Sequence, residues 1–174
     1  MEAVAMKETI HRLADGKELG PELAQGAMLE LMDGRCTPSQ IGAFLMGLRL
    51  RGAEPEELAA LAAAMRERSV RLCPQVDGLL LDVCGTGGAP LKTFNISTIS
   101  AFVIAGAGVP VAKHGNRSNT SKSGSADVLE ALGLNLEVNP EAVEEAIEEL
   151  GIGFLFAPLF HPAMRHAAGP RQEL

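Results

Sequence analysis

The sequence lacks tryptophan and tyrosine and has only 6 Phe among its 174 residues. A hydrophobic fraction of 47% still provides ample material for a core, which must therefore be packed mainly from aliphatic side chains. The aromatic platforms on which single-stranded nucleic acids stack are scarce, and the formal net charge is -7. We expect no nucleic-acid partner, because a general nucleic-acid binder needs a basic surface.

Cysteine is also scarce. Cys36, Cys73 and Cys84 are odd in number and form no C-x-x-C pair, which predicts reduced, mostly buried thiols rather than a disulfide framework or a metal site. No apolar run approaches the roughly 20 residues that cross a membrane, and charged residues interrupt the N-terminus where a signal peptide would be apolar. These absences predict a cytoplasmic protein without a membrane segment.

The first 71 residues have the periodicity of amphipathic helices. Four are predicted: the first spans residues 4–14, the second begins at Pro21 and stops before Asp33, the third runs from Pro38 to Gly52, and the fourth begins at Pro55. Thr37 and Gln40 match a capping box for the third helix. That helix is apolar over much of its circumference. Core packing explains most of this, and an exposed remainder would favour a homodimer formed through the helices.

From residue 72 onward the pattern alternates between strands, loops and helices, which is typical of a mostly parallel, helix-covered sheet. The predicted strands are residues 79–84, 109–112, 134–138 and 152–157, and the predicted helices are residues 99–107, 126–132 and 141–150, with a final helical piece from Pro162. Ser125 is the expected N-cap of the second of these helices. Three or four strands are few for such a sheet. We predict an α/β fold with a helical domain at residues 1–71 and an α/β domain at residues 72–174, incomplete at its C-terminal end.

Two loops in the second domain have the composition of phosphate sites. Gly85-Thr86-Gly87-Gly88 follows the first predicted strand, and a loop rich in Gly, Ser, Thr and Asn extends from Lys113 to Ser125 after the second. Glycines allow backbone N–H groups to approach an anion, and a following helix adds a favourable dipole. Positive charge is available in the same stretches, from Lys92, Lys113, Arg117 and Lys122. Two such loops in succession predict a binding site for a compact phosphorylated ligand.

Four ordered motifs stand out in this region: Gly85-Thr86-Gly87-Gly88, Lys92-Thr93-Phe94-Asn95-Ile96-Ser97-Thr98, Val111-Ala112-Lys113-His114-Gly115-Asn116-Arg117, and Ser121-Lys122-Ser123-Gly124-Ser125-Ala126-Asp127-Val128-Leu129-Glu130. Together they resemble the motifs of anthranilate phosphoribosyltransferase, an enzyme of the nucleoside-phosphorylase-like class. The resemblance covers essentially the whole chain and about half of the usual length of the family. It implies the fold of that family, a homodimer formed through the N-terminal helices, and a role in tryptophan biosynthesis.

The resemblance also implies the two substrates and the residues that bind them. Phosphoribosyl pyrophosphate and anthranilate would bind at Gly85, Gly88, Ala89, Thr93, Asn95, Ile96, Ser97, Thr98, Lys113, His114, Gly115, Asn116, Arg117, Ser118, Asn119, Thr120, Ser121, Ser125 and Arg171. Ser97 matches a hydroxyl ligand of Mg²⁺, the implied cofactor. His114 and Asn116 match groups that approach anthranilate, and Arg171 matches an arginine that faces its carboxylate.

The implied reaction is attack of the anthranilate amine on C1 of the ribose, with pyrophosphate as the leaving group. It needs no covalent nucleophile, so no catalytic residue is assigned, and positioning and charge stabilisation would carry the catalysis. Ala89 departs from the family, which usually has Asp there, and the acidic pair that holds Mg²⁺ in the family lies beyond the part matched here. We therefore expect this polypeptide alone to bind substrate weakly and to have little or no activity.

Two other interpretations remain open. A pyrimidine-nucleoside phosphorylase shares the helical and α/β plan, although the segment from Lys113 to Arg117 favours the phosphoribosyltransferase. A catalytically silent binding or assembly module would retain the anion pocket without turnover, and Ala89 and the absent acidic pair favour that interpretation.

Overall fold

The computed structural model describes residues 3–85, 94–118 and 123–174. The chain divides into two compact units, Met1–Ser69 together with His161–Leu174, and Val70–Phe160. The sequence-based division placed residues 161–174 with the α/β half instead. They group with the helices because Ala163, Met164 and Ala167 pack against the apolar core of the helical unit.

The helical unit contains the four expected helices, α1 (Val4–Ala14), α2 (Pro21–Met32), α3 (Pro38–Arg51) and α4 (Pro55–Glu67). The predicted capping box is present: Gln40 N donates to Thr37 Oγ1 (3.3 Å), and Thr37 N donates to Gln40 Oε1 (2.8 Å). A 3-10 helix (Pro162–Ala167) and a short α-helix (Ala168–Glu173) complete the unit.

Two buried carboxylates join the helices of this unit. Glu30 of α2 accepts hydrogen bonds from Ala5 N (3.2 Å) and Met6 N (2.7 Å) in the first turn of α1, where the N-cap residue Ala3 has no side-chain acceptor. Glu57 of α4 accepts from Leu19 N (2.6 Å) and forms an ion pair with Arg51. Unpaired buried carboxylates are costly, so these bonds specify how the helices pack.

The environment of Glu57 lowers the pKa of its carboxyl group. Burial alone would raise the pKa of this carboxyl, but hydrogen bonds from Arg51 and from the amides of Leu19 and Glu54 outweigh burial and lower the pKa to about 2. Its charged form is therefore a stabilising part of the folded helical unit.

The α/β unit contains α5 (Ile96–Gly106), β1 (Val111–Gly115), α6 (Ser125–Ala131), α7 (Pro140–Leu150), β2 (Ile152–Phe156) and α8 (Ala157–Phe160). The two strands are parallel, and their register places Val111 opposite Ile152 and Gly115 opposite Phe156. The core below them contains Val143, Ile147 and Phe160. This is the α/β fold with an N-terminal helical unit that the sequence predicts.

Two of the predicted strands do not form. Of residues 79–84, only Leu81 pairs, through an isolated parallel bridge to Val111 in which Leu81 N donates to Pro110 O and Ala112 N donates to Leu81 O, both at 2.9 Å. Residues 134–138, all described, form no strand. Leu136 is buried there, but Asn135 Oδ1 accepts a hydrogen bond from Glu137 N (3.0 Å), which makes a local turn in place of a ladder.

Helix starts also differ in three places. α7 begins at Pro140, one residue earlier than predicted. α5 begins at Ile96, three residues earlier than predicted. α6 begins at Ser125, and its N-cap is Gly124 rather than Ser125, because Asp127 Oδ2 accepts the N–H of Gly124 (2.7 Å).

The three cysteines are free thiols, but the expectation that they are mostly buried is wrong. Cys73 and Cys84 are exposed, whereas Cys36 is half-buried and burial raises its pKa to about 11. Among the described residues, no helix combines the length and apolar character needed to cross a membrane.

Candidate anion-binding site

Lys113 is the central residue of β1 and has only 4% of its surface exposed. Its neighbours Val111 and Gly115 are also buried, because alternate residues of a strand face the same side. Burial lowers the pKa of the ammonium group, while the nearby Cys84 and Asp82 act in the opposite direction. Lys113 Nζ donates to His114 O (2.7 Å). A largely desolvated cation of this kind favours the approach of an anion.

Thr98 of α5 lies beside this lysine. It is 3% exposed, and its Oγ1 has no hydrogen-bond partner among the described residues. Thr98 and Lys113 line the same cavity, of about 80 Å³; the remaining lining residues are apolar or glycine, namely Ala101, Phe102, Leu129, Leu134, Ile152, Gly153 and Phe154. The cavity is too small for a phosphorylated sugar. Its significance is that the fold brings together two motifs that are separate in the sequence.

The N-terminus of α5 carries no acidic residue in its first turn. Asn95 occupies the N-cap position, and its carbonyl accepts hydrogen bonds from Thr98 N and Ile99 N, both at 3.1 Å. Ser97 is half-buried and Ile96 is exposed. The positive end of the helix dipole is therefore not compensated by a side-chain carboxylate of the helix itself, an arrangement that favours a bound anion.

His114 and Gly115 continue from Lys113 toward the following loop. His114 N lies 3.4 Å from Asp82 Oδ1, and His114 Nδ1 lies 3.8 Å from Cys84 Sγ. A Cβ atom on Gly115 would come within 2.2 Å of Ser125 Oγ and 2.8 Å of the Phe154 ring. A larger residue at this position would therefore require the side chains of Ser125 and Phe154 to move.

Arg117 differs from Lys113 because its charge is paired within the protein. Its guanidinium forms two hydrogen bonds with the Glu130 carboxylate (2.6 and 2.8 Å) and lies 5.7 Å from the centroid of the Phe156 ring. The pair with Glu130 raises the pKa of Arg117. The preceding residue, Asn116, accepts the Arg117 N–H at its Oδ1 (2.8 Å).

The remaining predicted site residues are placed as follows. Gly85 is the last described residue of the first loop and is exposed. Ser118 and Ser125 are half-buried near the start of α6, and Arg171 is exposed in the last helix of the helical unit. Outside the described residues lie Gly88, Ala89, Thr93, Asn119, Thr120 and Ser121, together with the cations Lys92 and Lys122.

Comparison with protein families matches nearly the whole chain. A profile described as the helical bundle domain of the glycosyl transferase family matches residues 7–69, and one described as the a/b domain of the same family matches residues 77–174. This chain belongs to the glycosyl transferase family.

Curated relatives of this glycosyl transferase-family chain include an anthranilate phosphoribosyltransferase from Acetivibrio thermocellus, 53% identical over 97% of this chain and 49% of the relative. Another, from Persephonella marina, is 49% identical over 97% of this chain and 50% of the relative. The chain therefore spans about half the length of the curated relatives it matches. These similarities confirm the resemblance inferred from the four motifs.

Solved structures of anthranilate phosphoribosyltransferases are also similar to this chain. Anthranilate phosphoribosyltransferase from Thermus thermophilus is 50% identical, with a TM-score of 0.87 over 95% of this chain and 50% of that one. The enzyme from Saccharomyces cerevisiae in complex with PRPP and Mg is 28% identical, with a TM-score of 0.86 over 97% of this chain and 50% of that one.

The described residues do not build a metal site. No group of three His, Cys, Asp or Glu side chains in the described ranges could hold a metal ion. Ser97 would offer a single neutral hydroxyl, whereas Mg²⁺ in proteins is usually held by carboxylates together with substrate phosphates and water. Ser97 alone does not meet that requirement.

Sequence reasoning missed the acidic residues around the site. Asp82 lies near Lys113, and Asp127 and Glu130 hold the loop that follows β1. One of them could have been predicted from the sequence: an acid at the third helical position accepts the N–H of the N-cap residue, which is one of the two bonds of a capping box. The pairing of Glu130 with Arg117, 13 residues away, had no local pattern.

Proposed function

We propose that this chain supplies the phosphoribosyl-pyrophosphate-binding part of an anthranilate phosphoribosyltransferase. The reaction transfers the phosphoribosyl group to the anthranilate amine: the bond between C1 and the pyrophosphate oxygen breaks, a bond between C1 and nitrogen forms, and the amine loses a proton. The observation that carries the proposal is the buried Lys113 of β1 beside Thr98 in the first turn of α5.

Lys113 is suited to stabilise the anionic part of the substrate. A desolvated ammonium held by the sheet interacts with a phosphate more strongly than a solvated lysine does, and it needs little reorganisation during the reaction. The acid-free first turn of α5, with Asn95, Ser97 and Thr98, adds amide and hydroxyl donors on the neighbouring element.

The aromatic amine of anthranilate needs no activating base, since it is already neutral at pH 7. The protein therefore contributes orientation of the two substrates and stabilisation of the departing pyrophosphate. We assign His114 and Asn116, which follow Lys113, to the side that anthranilate approaches. Arg171 remains our candidate for its carboxylate.

Ser97 would offer Mg²⁺ one hydroxyl ligand, and the ion would neutralise part of the charge on the pyrophosphate. From the described part of this chain we assign only Ser97 to the ion. A complete metal site would need carboxylates from elsewhere, and this need favours the second candidate function, a silent binding module of the same fold.

A homodimer formed through the helical unit is also part of the proposal. Leu50 at the end of α3 is 80% exposed and Leu58 of α4 is 54% exposed. A contiguous apolar patch on the surface marks an interface between subunits, and we assign Leu50 and Leu58 to such a patch. Sedimentation of the chain at several concentrations would test this, and a monomer at all of them would refute it.

The test of the proposed function compares Lys113→Ala with Lys17→Ala. Lys17 is exposed and pairs with Asp15 (2.8 Å), so it controls for the loss of one positive charge. Binding of phosphoribosyl pyrophosphate is measured by ³¹P NMR with Mg²⁺ present, and turnover by the loss of anthranilate fluorescence.

We expect weak binding by the wild-type chain, loss of that binding in Lys113→Ala, and no change in Lys17→Ala. Binding without turnover would identify the silent module. Turnover would identify a transferase, and phosphorolysis of a pyrimidine nucleoside would instead support the phosphorylase interpretation. Equal binding by wild type and Lys113→Ala would refute the assignment of the site.

A further inference from the structure

Asp127, in the first turn of α6, holds two separated parts of the chain together. Its Oδ2 accepts hydrogen bonds from Ser118 N (3.0 Å) and from Gly124 N (2.7 Å). Its Oδ1 lies 3.5 Å from Arg117 Nη1. One carboxylate therefore joins Ser118, three residues after the end of β1, to Gly124, the N-cap of α6, six positions further along the chain.

Gly124 shows how closely these two parts approach. A Cβ atom at this position would lie 2.4 Å from Ser118 N and 2.7 Å from the carbonyl carbon of Arg117. Both are backbone atoms, so a larger residue would force the two parts of the chain apart. The approach is therefore a built feature, in which glycine provides the space and Asp127 provides the bonds.

A second set of contacts fixes the same loop residues to α6. Asn116 O accepts hydrogen bonds from Ala126 N (3.2 Å) and Ser125 Oγ (3.4 Å). Arg117 forms its two hydrogen bonds with Glu130, one turn of α6 beyond Asp127. Residues 116–118 thus have their positions set by α6, although they follow directly from the strand that carries Lys113.

We propose that Asp127 is a positioning residue for the anion site: it fixes the Ser118 and Gly124 amides, and through them the placement of Ser118 and Ser125, without touching the substrate. This inference rests on the proposed function. A carboxylate that faced a phosphate directly would repel it, but hydrogen bonds from the Ser118 and Gly124 amides lower the pKa of Asp127 and engage its charge within the loop. Its contribution to binding is therefore geometric.

The test uses Asp127→Ala, Asp127→Asn and a control, Asn139→Ala. Asn139 caps α7 in the same unit by accepting from Ala142 N (2.9 Å), so its loss removes a helix cap outside the candidate site. Affinities for phosphoribosyl pyrophosphate and for inorganic pyrophosphate are measured by ³¹P NMR on the full 174-residue chain. Amide hydrogen exchange at Ser118 and Gly124 and the melting temperature are measured in parallel.

We expect Asp127→Ala to weaken phosphoribosyl pyrophosphate binding about tenfold, since misplaced ligands lose much of their contribution, and to lose protection of both amides. Asp127→Asn keeps one acceptor oxygen and should recover part of the binding. Asn139→Ala should lower the melting temperature without changing affinity.

Three results would overturn the inference. Unchanged affinity in Asp127→Ala while the wild type binds would reject the positioning role and leave the proposed function intact. An equal loss of affinity in Asn139→Ala would mean that Asp127 affects binding only through the overall stability of the fold. Absence of binding by the wild type would reject the proposed function and this inference together.

Discussion

The N-termini of α5 and α6 are similar in sequence and opposite in electrostatics. Each follows a loop rich in Gly, Ser, Thr or Asn, and the sequence predicts that the two loops together form one binding site for a phosphorylated ligand. In α6 the third helical residue is Asp127, whose carboxylate accepts two backbone N–H groups of its own loop. In α5 the third helical residue is Thr98, and its Oγ1 has no partner among the described residues.

This difference shows what loop composition does not determine. Glycines and hydroxyls make a helix N-terminus accessible, but one carboxylate in the first turn decides whether the positive end of the helix is already occupied. In this chain α6 uses its N-terminus to build the loop, and α5 leaves its N-terminus beside the buried Lys113. The comparison predicts separate effects for changes at the two helices.

The largest expected effect comes from making α5 resemble α6. Thr98→Asp would place a carboxylate in the first turn of α5, in the cavity that Lys113 lines. It would pair with Lys113 and repel phosphate, so we expect binding of phosphoribosyl pyrophosphate to fall about 100-fold. Thr98→Val keeps the shape of the threonine side chain without adding a charge, so we expect a much smaller loss of binding in this variant. Titration by ³¹P NMR measures both, and equal losses would show that charge at α5 is not the determinant.

The next effect tests whether a carboxylate bound to backbone amides stabilises the helical unit as well. The pKa of Glu57 is lowered to about 2, against about 4.3 in an unfolded chain. Because the folded value is the lower one, its stabilisation is complete above about pH 5 and is lost as the pH falls toward 2, by about 2 to 3 kcal/mol.

Glu57→Gln should therefore be less stable than wild type at pH 7 and show a flatter dependence of unfolding free energy between pH 5 and 2. Urea denaturation followed at several pH values measures this. Parallel profiles for the two proteins would contradict the assignment of the shift to Glu57.

The smallest effect tests the close approach beside Asp127. Gly124→Ala introduces a methyl group against the backbone of Arg117 and Ser118, and we expect a loss of about 1 to 3 kcal/mol in unfolding free energy. Gly106→Ala, at the end of α5, is the control, because no described atom lies within 4 Å of its Cβ position. It should be neutral or slightly stabilising. A similar loss of unfolding free energy in both variants would mean that crowding at Gly124 does not set the cost.

Much of the helical unit could be read from local sequence. Prolines at the first helical positions of α2, α3 and α4 and the Thr37 capping box marked helix starts correctly. These features act within one turn of backbone, so nearby residues suffice to specify them. The strand predicted at residues 134–138 does not form. Their apolar and polar residues alternate as in a strand, but a strand also needs a neighbouring strand to pair with, and local sequence does not place that neighbour.

The motifs and local patterns of the sequence were enough to predict the family, the order of the longer helices, and which loops carry glycine and positive charge. The folded chain was needed to show that Lys113 is buried beside Thr98, that Arg117 pairs with Glu130, and that Asp127 bonds to the loop before it. The difference arises because local backbone preferences extend over only a few residues. Desolvation and charge pairing depend instead on which distant side chains the fold brings within a few ångströms.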